Sequence, residues 1–254
     1  GHLCAAAAAA HDLGTPPFAH VGEQAISDFF KRHSIGRRVT EDVPAALAAE
    51  ITAFEGNAQG FRDLARLQGW RRDGGLNLTC ATLAAHAKYP YRADAPVAVR
   101  PKARKYGHLA EDAALFAQVA EETGLVRLAE GVWARHPAAH LVEAADDICY
   151  SIVDLEDAAR LGVLPQDDAE DLIRSVSGDP GTDFAALDKP ADRLACLRSK
   201  AISRLVDGVV DVFIDQLDPI LSGRHPGDLV AAGPHGRAMD HIARISKARI
   251  YKSE

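Results

Sequence analysis

Apolar residues recur at intervals of three and four along most of this chain, and that spacing commits it to helices. Leu47, Ile51 and Phe54 form one such set, and Leu64 and Leu67 another. Leu115, Val119 and Ala120 form a third, and Leu194, Leu197, Ala201, Leu205 and Val209 the longest. A helix brings positions i, i+3 and i+4 onto one face, so each set is a stripe that needs covering. The alternation of β-branched residues that marks a half-buried strand is scarce. Gly, Pro and Asp interrupt the stripes at Gly14-Thr15-Pro16-Pro17, Arg72-Asp73-Gly74-Gly75, Tyr89 to Pro101, Ser177 to Gly181 and Ser222 to Pro226. Those residues end helices and turn the chain. The expectation is an all-α bundle, one domain over residues 1–254, without internal repeats.

A chain of 254 residues with a formal net charge of −7 has no global basic field for nucleic acid; any anion site must be built locally. Cys4, Cys80, Cys149 and Cys196 are far apart, with no C-x-x-C pair. They read as small buried hydrophobes in a reducing compartment. The longest apolar run, Leu3 to Ala10, is too short to span a bilayer and has no basic region before it, so it does not read as a signal peptide. A cytoplasmic location and no membrane partner are expected. Gly1 enters this helical run without a lead-in, as though a helix upstream were missing.

The residues that carry chemistry begin where that run ends. His11 and Asp12 sit side by side at the end of an apolar helix, where two polar groups need partners. One reading is a surface or capping pair. The other is a divalent metal, because an imidazole nitrogen and a carboxylate oxygen suit Mn²⁺, Fe²⁺, Co²⁺ or Zn²⁺. Gly14, Pro16 and Pro17 then turn the chain. His20 and Glu23, three residues apart, share a face if a new helix starts there.

Three further strings stand out. Phe54-Glu55-Gly56-Asn57-Ala58-Gln59-Gly60-Phe61-Arg62 gathers polar groups in an apolar segment, which is costly unless each is satisfied. Lys88-Tyr89-Pro90 is read as the last turn of a helix that Pro90 ends. Lys88 there could complement the helix C-terminus or meet an anion. Asp146, Tyr150 and Asp154 recur every four residues among Ile148, Cys149, Ile152 and Val153, so the acidic stripe is expected to be buried and to want a cation. Between these strings, the segment from Pro90 to Tyr106 carries Arg92, Arg100, Lys102, Arg104 and Lys105 against Asp94. It reads either as a solvated loop or as a basic lid, with weak scope for nucleic acid across residues 92–105.

Taken together, H-D-L-G-T-P-P-F-A-H-V-G-E, F-E-G-N-A-Q, K-Y and A-D-D-I-C-Y stand in the order in which similar strings occur in the dGTPase-like deoxynucleoside-triphosphate triphosphohydrolases of the HD superfamily. The chain resembles that family densely from Gly1 to about Leu164. The resemblance is weaker from Asp192 to Glu254, where it rests on Arg198-Ser-Lys-Ala-Ile202. It implies an HD-type helical bundle, densest over 1–164 with a helical part over 190–254. It also implies a divalent ion (Mn²⁺, Mg²⁺, Co²⁺ or Fe²⁺) held by His11, Asp12 and Asp146. Substrate contacts would come from Asn57, Lys88, Tyr89, Tyr150, Asp154 and Lys105, with His20, oriented by Glu23, as acid or base. Asp147 takes a structural hydrogen-bonding role. The implied reaction turns a dNTP into a deoxynucleoside and triphosphate, in a protein commonly assembled as a homo-oligomer.

The pattern also departs from the family. A further metal-binding His is expected on an upstream helix; this sequence starts too late to include it, and His2 is too near His11 to replace it. A sugar-contacting Gln upstream and base-contacting residues downstream are likewise expected outside it. Thr15 stands where many relatives carry His or Asn. Two other readings therefore remain open: another HD nucleotidase or phosphodiesterase, and a non-catalytic regulatory subunit with an incomplete metal site.

Overall fold

Helices carry the chain, as the apolar spacing requires. The structure, a computed structural model, describes residues 1–69, 74–96, 105–179, 181–225 and 227–251. Their backbone divides into two compact units, Gly1–Val142 with Pro219–Arg224, and Glu143–Asp218 with His225–Glu254.

The first unit holds α1 (His2–Ala10), α2 (Ala19–Arg32), α3 (Ser34–Glu41), α4 (Ala45–Thr52) and α5 (Gly56–Arg62). A π-helical turn, Asp63–Leu67, follows α5, and then come α6 (Cys80–His86) and α7 (Ala113–Glu122). One small element was not expected: β1 (Arg127–Ala129) and β2 (Val132–Trp133) pair antiparallel around Gly131, whose φ is +65°. Two or three residues are too few to show an alternating pattern, so the sequence gives no signal for them.

The core of this unit is aromatic. Phe116 lies 5.3 Å from Phe61 and 5.4 Å from Trp133, and stacks on His108 at 4.3 Å between ring centres. Burial pushes His108 down to about 4, so the ring is neutral at ordinary pH. A second cluster joins α1 to α6 through alanines: Ala7 and Ala85 pack with Ala138 and Val142. Side chains that small let two helices approach closely, which is how a helix with no polar face is still held.

The second unit takes most of α8 (Pro137–Arg160), then α9 (Gln166–Ser177), α10 (Pro190–Asp215), the short α12 (Leu229–Ala232) and α13 (Gly236–Arg249). The brief α11 (Leu217–Leu221) lies where the chain passes between units. Pro190 starts α10 where its missing N–H costs nothing. The whole predicted stripe Leu194, Leu197, Ala201, Leu205 and Val209 is buried. At about 1.5–3 kcal/mol for each large side chain, this face alone fixes the helix orientation within its unit. Two buried carboxylates tie the helices further: Glu170 of α9 to Arg193 of α10, and Glu156 of α8 to Arg198 of α10 and Arg160.

Some expectations are corrected. Leu47 and Leu67 are exposed, because α4 and the π-helical turn are too short to enclose every member of their stripes. All four cysteines are free, but none is fully buried and Cys149 is exposed. Among the described residues no helix is long and apolar enough to cross a membrane.

The fully buried Asp112 is the main charged tie of the first unit: its carboxylate lies 2.9 Å from Arg62 Nε and 2.7 Å from Arg66 Nε. Removing one partner of such a set leaves charge uncompensated. Asp112→Ala should therefore destabilise the fold by roughly 3 kcal/mol, the low end for buried pairs because both arginines retain access to water. Urea unfolding checks this; an unchanged midpoint would mean that the ion pairs only decorate the α5–α7 contact.

Candidate functional site

α1 stops at His11. The ring Nδ1 of His11 lies 2.7 Å from the carbonyl oxygen of Ala8. A carbonyl only accepts, so Nδ1 donates in that bond and Nε2 is the ring atom left to meet a metal. That Nε2 is 3.4 Å from Asp12 Oδ2. The two donor atoms thus stand side by side, with the imidazole fixed from behind by a backbone carbonyl. This is the usual support of a metal-binding histidine, and the donor chemistry fits a divalent ion. Thr15 turns its hydroxyl to Asp12 Oδ1 at 3.4 Å.

Glycine then makes the turn possible. Gly14 has φ of +93°, and a Cβ there would lie 2.2 Å from Gly60 N. A Cβ on Gly60 would in turn lie 2.4 Å from the Leu13 carbonyl oxygen. The turn after His11-Asp12 therefore rests backbone to backbone on α5, which brings F-E-G-N-A-Q-G beneath it. Phe18 and Ala19 also adopt positive φ, 68° and 48°. Non-glycine residues rarely accept that conformation, and it persists where packing enforces it. One such enforcement is the first turn of α2, where a Cβ on Gly22 would meet the Pro17 carbonyl at 2.1 Å.

α2 presents His20 and Glu23 as the spacing predicts. His20 Nδ1 is 2.9 Å from Glu23 Oε2; the histidine side chain is 82% exposed and the glutamate 11%. Glu23 Oε1 accepts a bond from the backbone N–H of Gly56 at 2.9 Å, possible because Gly56 has no side chain to occupy that space. Burial would raise the Glu23 pKa. The bonds from Gly56 and His20, and the nearby Lys105 ammonium, outweigh it and hold the carboxyl below its ordinary range. Glu23 is thus anionic at neutral pH, His20 donates to it through Nδ1, and Nε2 is the atom left for proton exchange.

Glu55 caps α5: its Oε1 accepts from the Asn57 backbone N–H at 3.2 Å and from the Asn57 side-chain amide. The amide donor of Asn57 is thereby committed to Glu55. Lys105 Nζ lies 2.9 Å from Glu55 Oε2 and 3.3 Å from Glu23 Oε2. The other cations of its segment, Arg100, Lys102 and Arg104, lie outside the described residues, while Arg92 pairs with Asp94.

The Lys88–Tyr89 expectation needs correcting in its location. α6 ends at His86, capped at Ala87, so both residues lie beyond the helix rather than in its last turn. Pro90 disfavours helical backbone in the residue before it, and the chain leaves the helix earlier still. Lys88 is half-buried; Tyr89 is buried, with the Arg135 guanidinium 5.6 Å over its ring. A Cβ on Gly107 would strike the Tyr89 carbonyl at 2.2 Å. The segment that follows Lys105 therefore lies directly against Lys88-Tyr89.

In the second unit, the Asp146–Tyr150–Asp154 face of α8 is corrected from buried to partly exposed: Tyr150 is 46% exposed, and Asp146 and Asp154 are half-buried. Around this face the buried side of the helix is carried by Ile148, Ile152 and Leu155. Burial and then the neighbouring Asp147, Asp146 and Asp154 raise the Tyr150 phenol. Asp154 Oδ2 accepts a bond from Tyr251 at 2.5 Å. Tyr150, Ser151, Ser246, Lys247 and Tyr251 line a cavity of about 340 Å³. Lys247 and Tyr251 were missed, since an isolated Lys and Tyr near a helix end carry no pattern. Among the described residues no three His, Cys, Asp or Glu side chains are gathered as a metal-holding group.

No protein-family model matches the chain. Curated proteins do. It is 36% identical over its whole length to a deoxyguanosinetriphosphate triphosphohydrolase-like protein of Pseudomonas aeruginosa, spanning 58% of that protein. It is 42% identical over 99% of its length to one of the same description from Synechocystis sp., again spanning 58%. A Listeria monocytogenes protein of that description is 28% identical over 99% of the chain and is spanned to 57%. The chain therefore covers rather more than half the length of these relatives.

The Gly14–Gly60 contact leaves no space for a methyl group on either side. Gly60→Ala should cost about 1–3 kcal/mol, the usual scale of overpacking, with an unchanged denaturant slope. If its denaturation midpoint matches that of the wild type, the turn is not seated on α5 in this way.

Proposed function

Because this chain is a relative, over its whole length, of the deoxyguanosinetriphosphate triphosphohydrolase-like proteins, we propose that it hydrolyses a deoxynucleoside triphosphate to a deoxynucleoside and inorganic triphosphate. The observation that carries the reading is the His20–Glu23 pair, hydrogen-bonded at 2.9 Å and held against the same α5 backbone on which the His11-Asp12 turn rests.

In this reading His11, Asp12 and Asp146 hold a divalent ion. When bound, the ion would polarise a phosphoryl oxygen and lower the pKa of a coordinated water. The chain's own residues do the rest. Water adds to the α-phosphorus and the bond from that phosphorus to the 5′-oxygen breaks. Over one turnover a proton leaves the water and a proton arrives on the 5′-oxygen. His20 Nε2 is the atom that holds or delivers that proton, because Nδ1 is engaged by Glu23. A triphosphate carries several negative charges in a chain that is acidic overall, so local cations are needed. Lys88 is assigned to the phosphate oxygens, and Tyr89, Lys105 and the second amide hydrogen of Asn57 are assigned to them with it. Tyr150 and Asp154 are assigned to the sugar and phosphates. The base preferred is left open.

His20→Ala should lower kcat by roughly 10²–10⁴-fold with metal content unchanged. Loss of bound metal in that variant would make His20 a ligand and remove its acid–base role. Lys88→Ala should cost about 1.5–3 kcal/mol in kcat/KM for a dNTP, and far less for a small phosphomonoester. Equal losses on both substrates would withdraw Lys88 from triphosphate binding. A metal-loaded protein with no turnover of any dNTP would favour the non-catalytic reading.

A further inference from the structure

Two carboxylates are buried side by side in the first unit, and one ammonium touches both. Glu23 is 9% exposed and Glu55 3%. Glu55 uses Oε1 on Asn57 and Oε2 on Lys105. Glu23 uses Oε1 on Gly56 and Oε2 on His20 and Lys105. Two carboxylates this enclosed repel each other unless a cation stands between them, and the surroundings supply few others. The groups facing Glu23 are His20 from α2, Glu55 from the start of α5, and Lys105 and Tyr106 from the segment that leads to Gly107. Glu50 of α4 stands behind Tyr106, whose hydroxyl donates to the Glu50 carbonyl. Apart from His20 and Lys105 these groups are acids or a neutral phenol.

We propose that Lys105 is a positioning residue for the His20–Glu23 pair: by bridging Glu23 and Glu55 it keeps Glu23 ionised, so that His20 donates through Nδ1 and exchanges protons only at Nε2. This rests on the acid–base role given to His20 above. It departs from the expectation that Lys105 simply binds phosphate. The direction of titration agrees: burial lowers the Lys105 pKa, but Glu55 and then Glu23 hold it above the ordinary value. Lys105 is 82 residues from Glu23 in the chain, so no local motif links the two.

The sign of the effect follows. Without Lys105, the two carboxylates share no cation and Glu23 takes up a proton at higher pH. A protonated Glu23 no longer fixes the imidazole, so activity fails earlier as pH falls. Without the Glu55 charge, Lys105 serves Glu23 alone and the shift reverses.

Lys105→Met, Lys105→Arg and Glu55→Gln should therefore be compared by the pH dependence of kcat/KM and by carboxyl-carbon NMR titration of Glu23. In Lys105→Met the Glu23 midpoint and the acid limb should rise by about one pH unit or more, with kcat down on the order of 10-fold or more. In Glu55→Gln both should fall. Lys105→Arg should restore most of the wild-type profile. Opposite shifts in the two variants cannot come from general destabilisation, and the NMR titration needs no turnover. If the Glu23 midpoint stays in place in both variants while KM for the dNTP rises in Lys105→Met, Lys105 is a phosphate ligand and the proposal is overturned. His20→Ala separates the two levels. If that variant keeps wild-type turnover, the acid–base reading fails whatever Lys105 does. If it is inactive and the Glu23 midpoint is unmoved in both Lys105→Met and Glu55→Gln, only the Lys105 inference fails.

Discussion

The contact between the backbone at Gly14 and Gly60 is the constraint from which the rest of the first unit's site follows. A methyl group on either residue would overlap backbone atoms at 2.2–2.4 Å. Because the chain can come that close, the His11-Asp12 turn sits on α5, and α2 leaves the turn at a height that brings Glu23 to the N–H of Gly56. The His20–Glu23 pair is therefore oriented by main-chain atoms of a helix start, not only by long side chains that could adjust. Rigid support of that kind is what a positioned acid–base group needs.

Charge follows the same economy. Each unit buries carboxylates and neutralises them with cations reached across helices: Asp112 with Arg62 and Arg66, Glu170 with Arg193, Glu156 with Arg198. The Glu23–Glu55–Lys105 cluster is built alike, with one difference. It ends on a histidine that is 82% exposed, so its electrostatics are coupled to solvent and to whatever binds there. The structural clusters end on arginines, whose charge does not change over the working pH range. A buried anion joined to an exposed imidazole meets solvent through a group able to exchange protons; a buried anion joined to arginine is a fastening.

The sequence made some of this legible and left some hidden, for identifiable reasons. The α10 stripe was readable because every member lies on one long helix with its own covering surface. The His20–Glu23 pairing was readable because it is local, three residues on one face. Lys105 could be named as a cation but not assigned its carboxylates, since its partners lie 82 and 50 positions away. The glycines were read only as helix breakers; that Gly14 and Gly60 exist for mutual approach depends on tertiary packing. The end of α6 was placed too late, because a proline marks where a helix cannot continue, not where it stops. The acidic stripe of α8 reads as buried only if Cys149 and Val153 count as core, whereas Ile148, Ile152 and Leu155 bury the opposite side and Cys149 is exposed.

The central claim is that this scaffold directs water to the α-phosphorus of a nucleoside triphosphate, and the products test it most directly. The purified protein, supplied with a divalent metal and a dNTP in ¹⁸O-labelled water, should release the deoxynucleoside and intact tripolyphosphate, with the label in the tripolyphosphate by ³¹P NMR and mass spectrometry. Release of orthophosphate, or of pyrophosphate with the deoxynucleoside monophosphate, would mean that another phosphorus is attacked or another bond at the α-phosphorus breaks, and would contradict the account.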